Sequence, residues 1–385
     1  MPTSATPRFY EFFAGGGMAR AGLGKDWRCI FANDFDQRKV DTYATNWGPD
    51  EVVHGDIRKL YGQQLPERPE LIWASFPCQD LSLAGGGAGL RGNRSGTFWP
   101  FWAIVKELIE DDRSPDVIVL ENVCGTLTSH GGKDFSALCG ALTDEGYRVG
   151  AIVADAALFL PQSRPRLFVV GVRTGVEIEP SLTRSGPSEI WHPKGLLSAH
   201  RRLPETTKDS WIWWNLAAPS GRVKKLSEIV EGSPNDVRWH DPEETAKLIQ
   251  MMAPLHRQKL AAVQRSGLRA VGAVYRRTRK SEDGDKVQRA EVRFDQTAGC
   301  LRTPAGGSSR QILLFVEGEE VRTRLVSARE TARLMGLPDS YVLPERYNEA
   351  YHLTGDGVAV PVVGHLSRQL LLPLVGSARS ERLIA

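Results

Sequence analysis

Hydrophobic residues follow two rhythms along this chain of 385 residues. From residue 8 to 172, short apolar runs alternate with longer stretches of helical spacing. The runs are Arg8-Phe9-Tyr10-Glu11-Phe12-Phe13, Cys29-Ile30-Phe31-Ala32, Leu71-Ile72-Trp73-Ala74, Val117-Ile118-Val119-Leu120, 147–154 and 167–172. The run at 117–120 has no polar break, so it reads as a central strand covered on both faces. Between the runs, 18–23, 37–47, 98–109 and 134–145 read as helices, the last closed by Gly146. Strand alternating with helix predicts an α/β fold built on a mostly parallel sheet.

The rhythm stops near Gly175. Residues 176–300 are broken by Pro and Gly, hold the aromatic knot Trp211-Ile212-Trp213-Trp214-Asn215, and read as irregular apart from a helix over 243–264. Order returns after Arg293. Ser327-Ala328-Arg329-Glu330 caps a helix through Met335, and Gly355-Asp356-Gly357-Val358 opens a last helix to about Leu371. The pattern divides the chain into an α/β body over 1–180, a smaller domain over 181–335, and a segment over 336–385 that returns to the body.

Composition narrows the class. Charged residues at 25% and hydrophobic residues at 41% are ordinary for a globular protein. Residues 1–8 lack the features of a secretory signal, and no apolar run is read as long enough to span a bilayer. The five cysteines are odd in number and without CxxC spacing, which suggests neither a disulfide framework nor a zinc site and fits a reducing cytoplasm. Net charge is only +3, but residues 190–295 hold 20 Lys/Arg against 13 Asp/Glu, so +7 there and −4 elsewhere. A basic segment beside a near-neutral body predicts a polyanionic partner.

Candidate chemistry lies at the predicted strand ends, where open α/β sheets bind ligands. The first strand runs into Ala14-Gly15-Gly16-Gly17, a turn through which a backbone approaches a ligand closely. Arg20 stands where a dinucleotide fingerprint needs its third glycine, which argues against an NAD enzyme. Asn33-Asp34-Phe35-Asp36 ends the second strand. Asp34 suits ribose hydroxyls, Phe35 an adenine face, and Asp36 a helix cap. His54-Gly55-Asp56-Ile57 offers a further carboxylate for an exocyclic amine. The run at 71–74 delivers Pro77-Cys78-Gln79, followed by Ser82 and a glycine-rich stretch carrying Arg91 and Arg94. The run at 117–120 delivers Glu121-Asn122-Val123. Arg164 and Arg166, bracketing Pro165, are expected to point the same way and to bind an anion or carbonyl. The basic run Arg276-Arg277-Thr278-Arg279-Lys280 falls in the irregular region.

These motifs, in this order, resemble the DNA cytosine-5 methyltransferase family of the bacterial restriction-modification type. The likeness covers nearly the whole chain. Phe12 through Gly17 resembles the family's cofactor loop, Asn33–Asp36 and Gly55–Ile57 its ribose and adenine contacts, Pro77-Cys78-Gln79 its nucleophile motif, and Glu121-Asn122-Val123 its acid motif. Gln162-Ser163-Arg164-Pro165-Arg166 matches Gln-x-Arg-x-Arg. Residues 329–338 are similar to the motif supporting the recognition domain, and the irregular basic region falls where the family places that domain. Two departures stand out. Asp34 replaces a common Glu, and Gly355-Asp356-Gly357-Val358 replaces a common Gly-Asn-Ser-Val, so Asp356 is an altered cofactor contact beside Val358.

The resemblance implies a Rossmann-like S-adenosylmethionine-dependent methyltransferase sheet with a small target-recognition domain. It implies that Cys78 adds to C6 of a flipped-out cytosine in duplex DNA. Glu121 then meets N3, Arg166 binds O2 and holds Glu121, and Gln79, Asn122 and Arg164 support the site. S-adenosylmethionine is expected on Phe12, Ala14, Gly15, Gly16, Gly17, Asp34, Phe35, Asp56, Ile57, Pro77, Asp356 and Val358. DNA is expected on Ser82, Arg91, Arg94, Arg276, Arg277, Arg279 and Lys280. The enzyme is expected to be a cytoplasmic monomer, away from membranes and accompanied by a cognate restriction or other phage-defence system. The rivals are the same chemistry on tRNA and a non-catalytic DNA-binding relative. The large basic domain and the lack of a Cys-Phe-Thr tripeptide weigh against the first. Intact Cys78, Glu121 and Arg166 weigh against the second.

Overall fold

The structure is a computed structural model that describes residues 6–77, 96–280, 284–302 and 310–384. Among these residues the strands are β1 (Arg8–Phe12), β2 (Arg28–Asp34), β3 (Val52–His54), β4 (Leu71–Ala74), β5 (Val117–Val123), β6 (Tyr147–Asp155) and β7 (Pro165–Arg173), then β8 (Thr183–Arg184), β9 (Trp213–Trp214), β10 (Ala270–Lys280), β11 (Lys286–Arg293), β12 (Ile312–Glu317) and β13 (Glu320–Leu325). The chain divides into two compact units. One comprises 1–155, 165–220 and 360–385; the other comprises 156–164 and 221–359.

The first unit is a seven-stranded sheet in the order β3-β2-β1-β4-β5-β7-β6. Only β7 runs against its neighbours. The order reverses between β1 and β4, and such a switch point opens a crevice at the carboxyl ends of the strands. β4 and the first six residues of β5 are buried throughout, as runs without polar breaks require. Phe98–Glu110 forms a helix whose Phe98, Phe101, Trp102 and Val105 pack under β1 and β4. Each such side chain contributes about 1.5–3 kcal/mol on burial, so Phe101→Ala would loosen the whole layer.

The helix Gln37–Trp47 begins at Asp36, whose carboxylate accepts from the Arg38 amide at 3.0 Å. Residues 181–220 belong to this unit. Gly150 of β6 makes room for them, because a Cβ there would lie 2.3 Å from the Ile212 carbonyl oxygen. Trp214 of the aromatic knot is fully buried, and His200 sits 4.7 Å from both Trp211 and Trp213. The chain rejoins the unit at the helix Val360–Leu366, and Trp27 Nε1 donates to Ser367 Oγ at 2.8 Å.

The second unit is more regular than its sequence suggests. Its four-stranded antiparallel sheet runs β11-β10-β12-β13, with the helices Pro242–Gln250 and Pro254–Arg265 over one face. Proline at N1 starts each helix, so the single helix expected over 243–264 is two. The charged run at 276–280 concealed a strand: β10 is buried over 271–274 and leaves the core from Tyr275 onward.

Ser327 caps Ala328–Leu334 in a full capping box with Glu330. Gly355 and Asp356 close the helix Tyr347–Asp356 rather than open the next one, which starts at Val360. By length and composition alone, an 18-residue window within 347–379 is apolar enough to cross a membrane, with a mean hydropathy of 1.5. The expectation of no such run therefore fails on length and composition. The window is 67% buried within the protein, as a core segment would be.

Candidate active site

The site residues of the first unit gather at one edge of its sheet. β1, β2, β4 and β5 end there, and antiparallel β7 begins there. Glu121 and Val123 share a face of β5, and Val123 pairs with Arg166 of β7. The diagonal brings Arg166 Nε to 3.3 Å from Glu121 Oε1. The Glu121 and Arg166 side chains are 8% and 14% exposed, so the pair is shielded from bulk water without being sealed.

Asn122 points to the other face and spends its amide on two backbone groups and one hydroxyl. Its Nδ2 donates to the Phe76 carbonyl at 3.1 Å, while its Oδ1 accepts from the Val123 amide at 2.8 Å and Thr126 Oγ1 at 3.1 Å. Phe76 lies two residues before Cys78. The acid segment and the segment leading to the cysteine are therefore bonded across β4 and β5. Cys78, Gln79, Ser82, Arg91 and Arg94 lie outside the described residues. Cys124, just past Val123, is half-buried, and burial pushes its thiol up from the ordinary range.

The glycine loop is tied down at the next strand ends. The Ala14 amide donates to the Asn33 carbonyl at 2.9 Å, and the Gly15 amide to Asp34 Oδ2 at 2.8 Å. Asp34 Oδ1 accepts from the Asp36 amide at 2.9 Å. Asp34 thus ties the loop with one oxygen and its own strand end with the other, each keeping a further lone pair. Phe13, at φ 56, is a non-glycine residue in left-handed backbone, a strain that marks the turn. Gly15 follows at φ 55, and a Cβ built on it would meet nothing within 4 Å. The Gly16 carbonyl accepts from Trp47 Nε1 at 3.2 Å, and Gly17 packs so closely that a Cβ would lie 2.5 Å from that same nitrogen.

Phe12 and Ile57 are core residues, and Ala14 is 7% exposed. Phe35 stands 71% exposed at the end of β2, its carbonyl accepting from His54 Nε2 at 2.9 Å. Asp56 caps a short turn through the Arg58 amide at 3.0 Å.

One buried group escaped the sequence reading. Glu11, in the middle of β1, is 1% exposed, and burial pushes its carboxyl up to about 8 against the opposing pull of Arg20. It lies 3.4 Å from the Arg20 amide and 3.5 Å from Tyr43 Oη. A lone acid inside an aromatic strand was the available signal.

Arg164 and Arg166 do not share surroundings as expected. β7 starts at Pro165, so strand alternation does not reach Arg164. In the second unit Arg164 is 1% exposed and donates to the carbonyls of Leu301 at 2.9 Å and of Gly355 and Gly357 at 2.7 Å. It clamps the turn that carries exposed Asp356 and buried Val358. Gln162 beside it donates to the Leu334 carbonyl at 2.6 Å and accepts from the Leu301 amide at 3.2 Å. Arg276, Arg277, Arg279 and Lys280 lie together on the outer half of β10.

Residues 7–371 match the family described as C-5 cytosine-specific DNA methylase. The chain belongs to this family. It is 28% identical over 370 residues to Type II methyltransferase M.BsuFI of Bacillus subtilis, covering 94% of this chain and 73% of that protein. It is 26% identical over 379 residues to Type II methyltransferase M.NlaX of Neisseria lactamica, covering 97% and 99%.

Among solved structures, S. pombe Dnmt2 methyltransferase aligns with a TM-score of 0.56 at 18% identity, over 95% of this chain and 98% of that one. Entamoeba histolytica methyltransferase EhMeth aligns with a TM-score of 0.60 at 12% identity, over 97% and 99%. At these identities the likeness shows the fold, a Rossmann-like methyltransferase sheet.

The family is one of enzymes of DNA methylation, and it implies methyl transfer from S-adenosylmethionine. The edge of the first unit fits an adenosyl group. The crest over Gly15 is open, Phe35 offers an uncovered ring, and Asp56 supplies a carboxylate one strand away.

Proposed function

We propose that this chain methylates C5 of a cytosine extruded from a specific duplex DNA sequence, through a transient bond between Cys78 and C6. The observation that carries the reading is the bonded edge of β4, β5 and β7. Glu121 and Arg166 are paired at 3.3 Å there, and Asn122 is tied to Phe76, two residues from Cys78. Cytosine C5 is too weak a nucleophile to attack a methyl group unaided. A thiolate adding at C6 makes C5 an enamine carbon, and a thiol does this better than a hydroxyl because more of it ionises near neutral pH.

Glu121 bonds N3 and stabilises the charge that develops in the ring. Arg166 holds Glu121 in place and binds O2. Asn122 and Gln79 set the backbone around the base. S-adenosylmethionine, when bound, supplies the electrophilic methyl group. Gly15 through Gly17, Asp34, Phe35 and Asp56 hold it, with Pro77, Asp356 and Val358 as further contacts. Water takes H5 as a proton, the Cys78 thiolate leaves C6, and the ring is restored.

The target atom lies inside the duplex, so the base is flipped out at a cost of a few kcal/mol. The second unit, with its basic strand β10, is the target-recognition part, and Ser82, Arg91 and Arg94 add contacts. Arg164 acts as a positioning residue, holding the turn that carries Asp356. The enzyme works as a cytoplasmic monomer beside a cognate restriction or other phage-defence system.

Incubation with S-adenosylmethionine labelled in its methyl group tests the reading. Label is expected in duplex DNA, as 5-methylcytosine, and not in tRNA. Label in tRNA alone would assign the enzyme to RNA. Label in neither, with DNA still bound, would make it a non-catalytic relative.

A further inference from the structure

Strands β10 and β11 outrun the sheet that holds them. β10 pairs with β12 only over residues 270–274, whereas its pairing with β11 continues to Lys280 opposite Lys286. From Tyr275 outward the two strands form a ribbon of six residue pairs, about 20 Å long at roughly 3.4 Å per residue. Residues opposite one another in an antiparallel pair share a face. One face continues the side that carries Val274, Ala290 and Val292, which are core residues beneath the helices. Beyond them it bears Arg276, Thr278, Lys280, Lys286 and Gln288. The other face bears Tyr275, Arg277, Arg279, Val287, Arg289 and Glu291.

The two faces handle charge differently. On the second, Glu291 accepts from Arg279 Nε at 2.7 Å and lies 3.6 Å from Arg277, which also sits 5.4 Å over the Tyr275 ring. Those arginines are tied to the ribbon itself. Among the described residues the first face of the paired ribbon holds three cations and no carboxylate; Lys280 and Lys286 are exposed, while Arg276 is half-buried at the base with its Nε enclosed. Between the cations lie Thr278 and Gln288, directly opposite each other and both exposed. Cations on a strand edge also deter edge-to-edge pairing. That role asks only for charge on either face, not for a carboxylate-free face with two polar side chains at its centre.

We propose that the β10–β11 ribbon enters the major groove of the substrate duplex by this first face. Arg276, Lys280 and Lys286 bond phosphates, and Thr278 with Gln288 reads base edges. The inference rests on the reading of this chain as a DNA methyltransferase and says which element selects the sequence. A major groove about 12 Å wide admits a two-stranded ribbon. Gln bonds adenine at two points, and Thr serves either a hydrogen bond or a thymine methyl. The Arg277–Glu291–Arg279 cluster stiffens the back of the ribbon.

The test compares three multiple variants of the full chain, with melting curves to verify folding. Methylated sites are mapped by sequencing genomic DNA treated in vitro. Binding to a duplex oligonucleotide is measured across a salt series. T278V/Q288A is expected to lose discrimination at one or two base positions by roughly 10- to 100-fold while retaining total methylation. R276Q/K280Q/K286Q is expected to keep the site and to bind less tightly, with the slope of log K against log salt reduced by about 2–3. K106Q/E145Q, which removes a surface ion pair of the first unit, is expected to change neither.

An unchanged site in T278V/Q288A overturns the proposal, as does an unchanged salt slope in R276Q/K280Q/K286Q or an equal loss of discrimination in K106Q/E145Q. A wild-type chain that binds duplex DNA without methylating it would sink the parent reading alone. The salt slopes would still support or refute the ribbon.

Discussion

Both units bury charged and polar side chains, and they do so to different ends. In the second unit the bonds of the buried groups close on the fold itself. Arg164 meets three backbone carbonyls. Gln311 accepts from the Gly299 amide and donates to the Val274 carbonyl. Arg324, fully buried, makes a two-point pair with Glu330 at 2.7 and 2.8 Å. In the first unit Glu121, Asn122, Arg166 and Asp34 converge at one edge of the sheet, each with at least one contact that positions rather than seals it. Burying charge costs several kcal/mol per ion. A buried ion closed upon backbone maintains shape; one left at a strand edge is available to a substrate.

Four substitutions break or sharpen this contrast. Glu121→Gln is expected to lower kcat for methyl transfer by about 100- to 10,000-fold, the range of general acid catalysis, with the melting temperature nearly unchanged. A lower melting temperature with full activity per folded molecule would make Glu121 a brace like those of the second unit. Arg324→Met is the converse. It leaves Glu330 buried without its partner and should cost about 3–5 kcal/mol in chemical denaturation. Methylation per folded molecule should be unchanged.

Asn122→Ala stands between the two. It frees the Phe76 carbonyl and should cost about 1–3 kcal/mol of stability. Misplacement of the cysteine segment should also lower kcat by up to about 100-fold. Unchanged kcat would detach the acid segment from the nucleophile.

The smallest effect concerns pH. The native state keeps the proton of Glu11 up to about 8, whereas the unfolded chain releases it near 4.5. This contribution to stability is complete below the unfolded value and is lost as pH rises through about 8. Urea midpoints measured from about pH 5 to about pH 8 should fall more steeply for the wild type than for Glu11→Gln. Parallel curves would show that Glu11 does not hold the proton.

The sheet was legible because its strands are covered on both faces. The buried runs 71–74 and 117–120 could be nothing but interior strands at that length, and the helix 37–47 showed its cap at Asp36. The ribbon was not legible. A strand that leaves the core loses the apolar signal, and Arg276 through Lys280 looked like a solvated charge run. Pro254 divided one expected helix because proline at N1 starts a helix as readily as it ends one.

At the site, Glu121-Asn122-Val123 and Arg166 stood out as motifs. Their 3.3 Å pairing depends on the antiparallel register of β7, which no local pattern encodes. Strand periodicity does not extend to Arg164, one residue before β7. Glu11 gives no pattern of its own, because its aromatic neighbours dominate the run.

The central claim is the bond between Cys78 and the pyrimidine, and it has a direct measurement. A duplex containing 5-fluorocytosine at the methylated position cannot lose its C5 substituent as a proton, so the adduct should persist after methyl transfer. Peptide mass spectrometry of the trapped complex is expected to find the nucleotide on the peptide that carries Cys78. Complete turnover without trapping, or an adduct on Cys124 beside Glu121, would contradict the account.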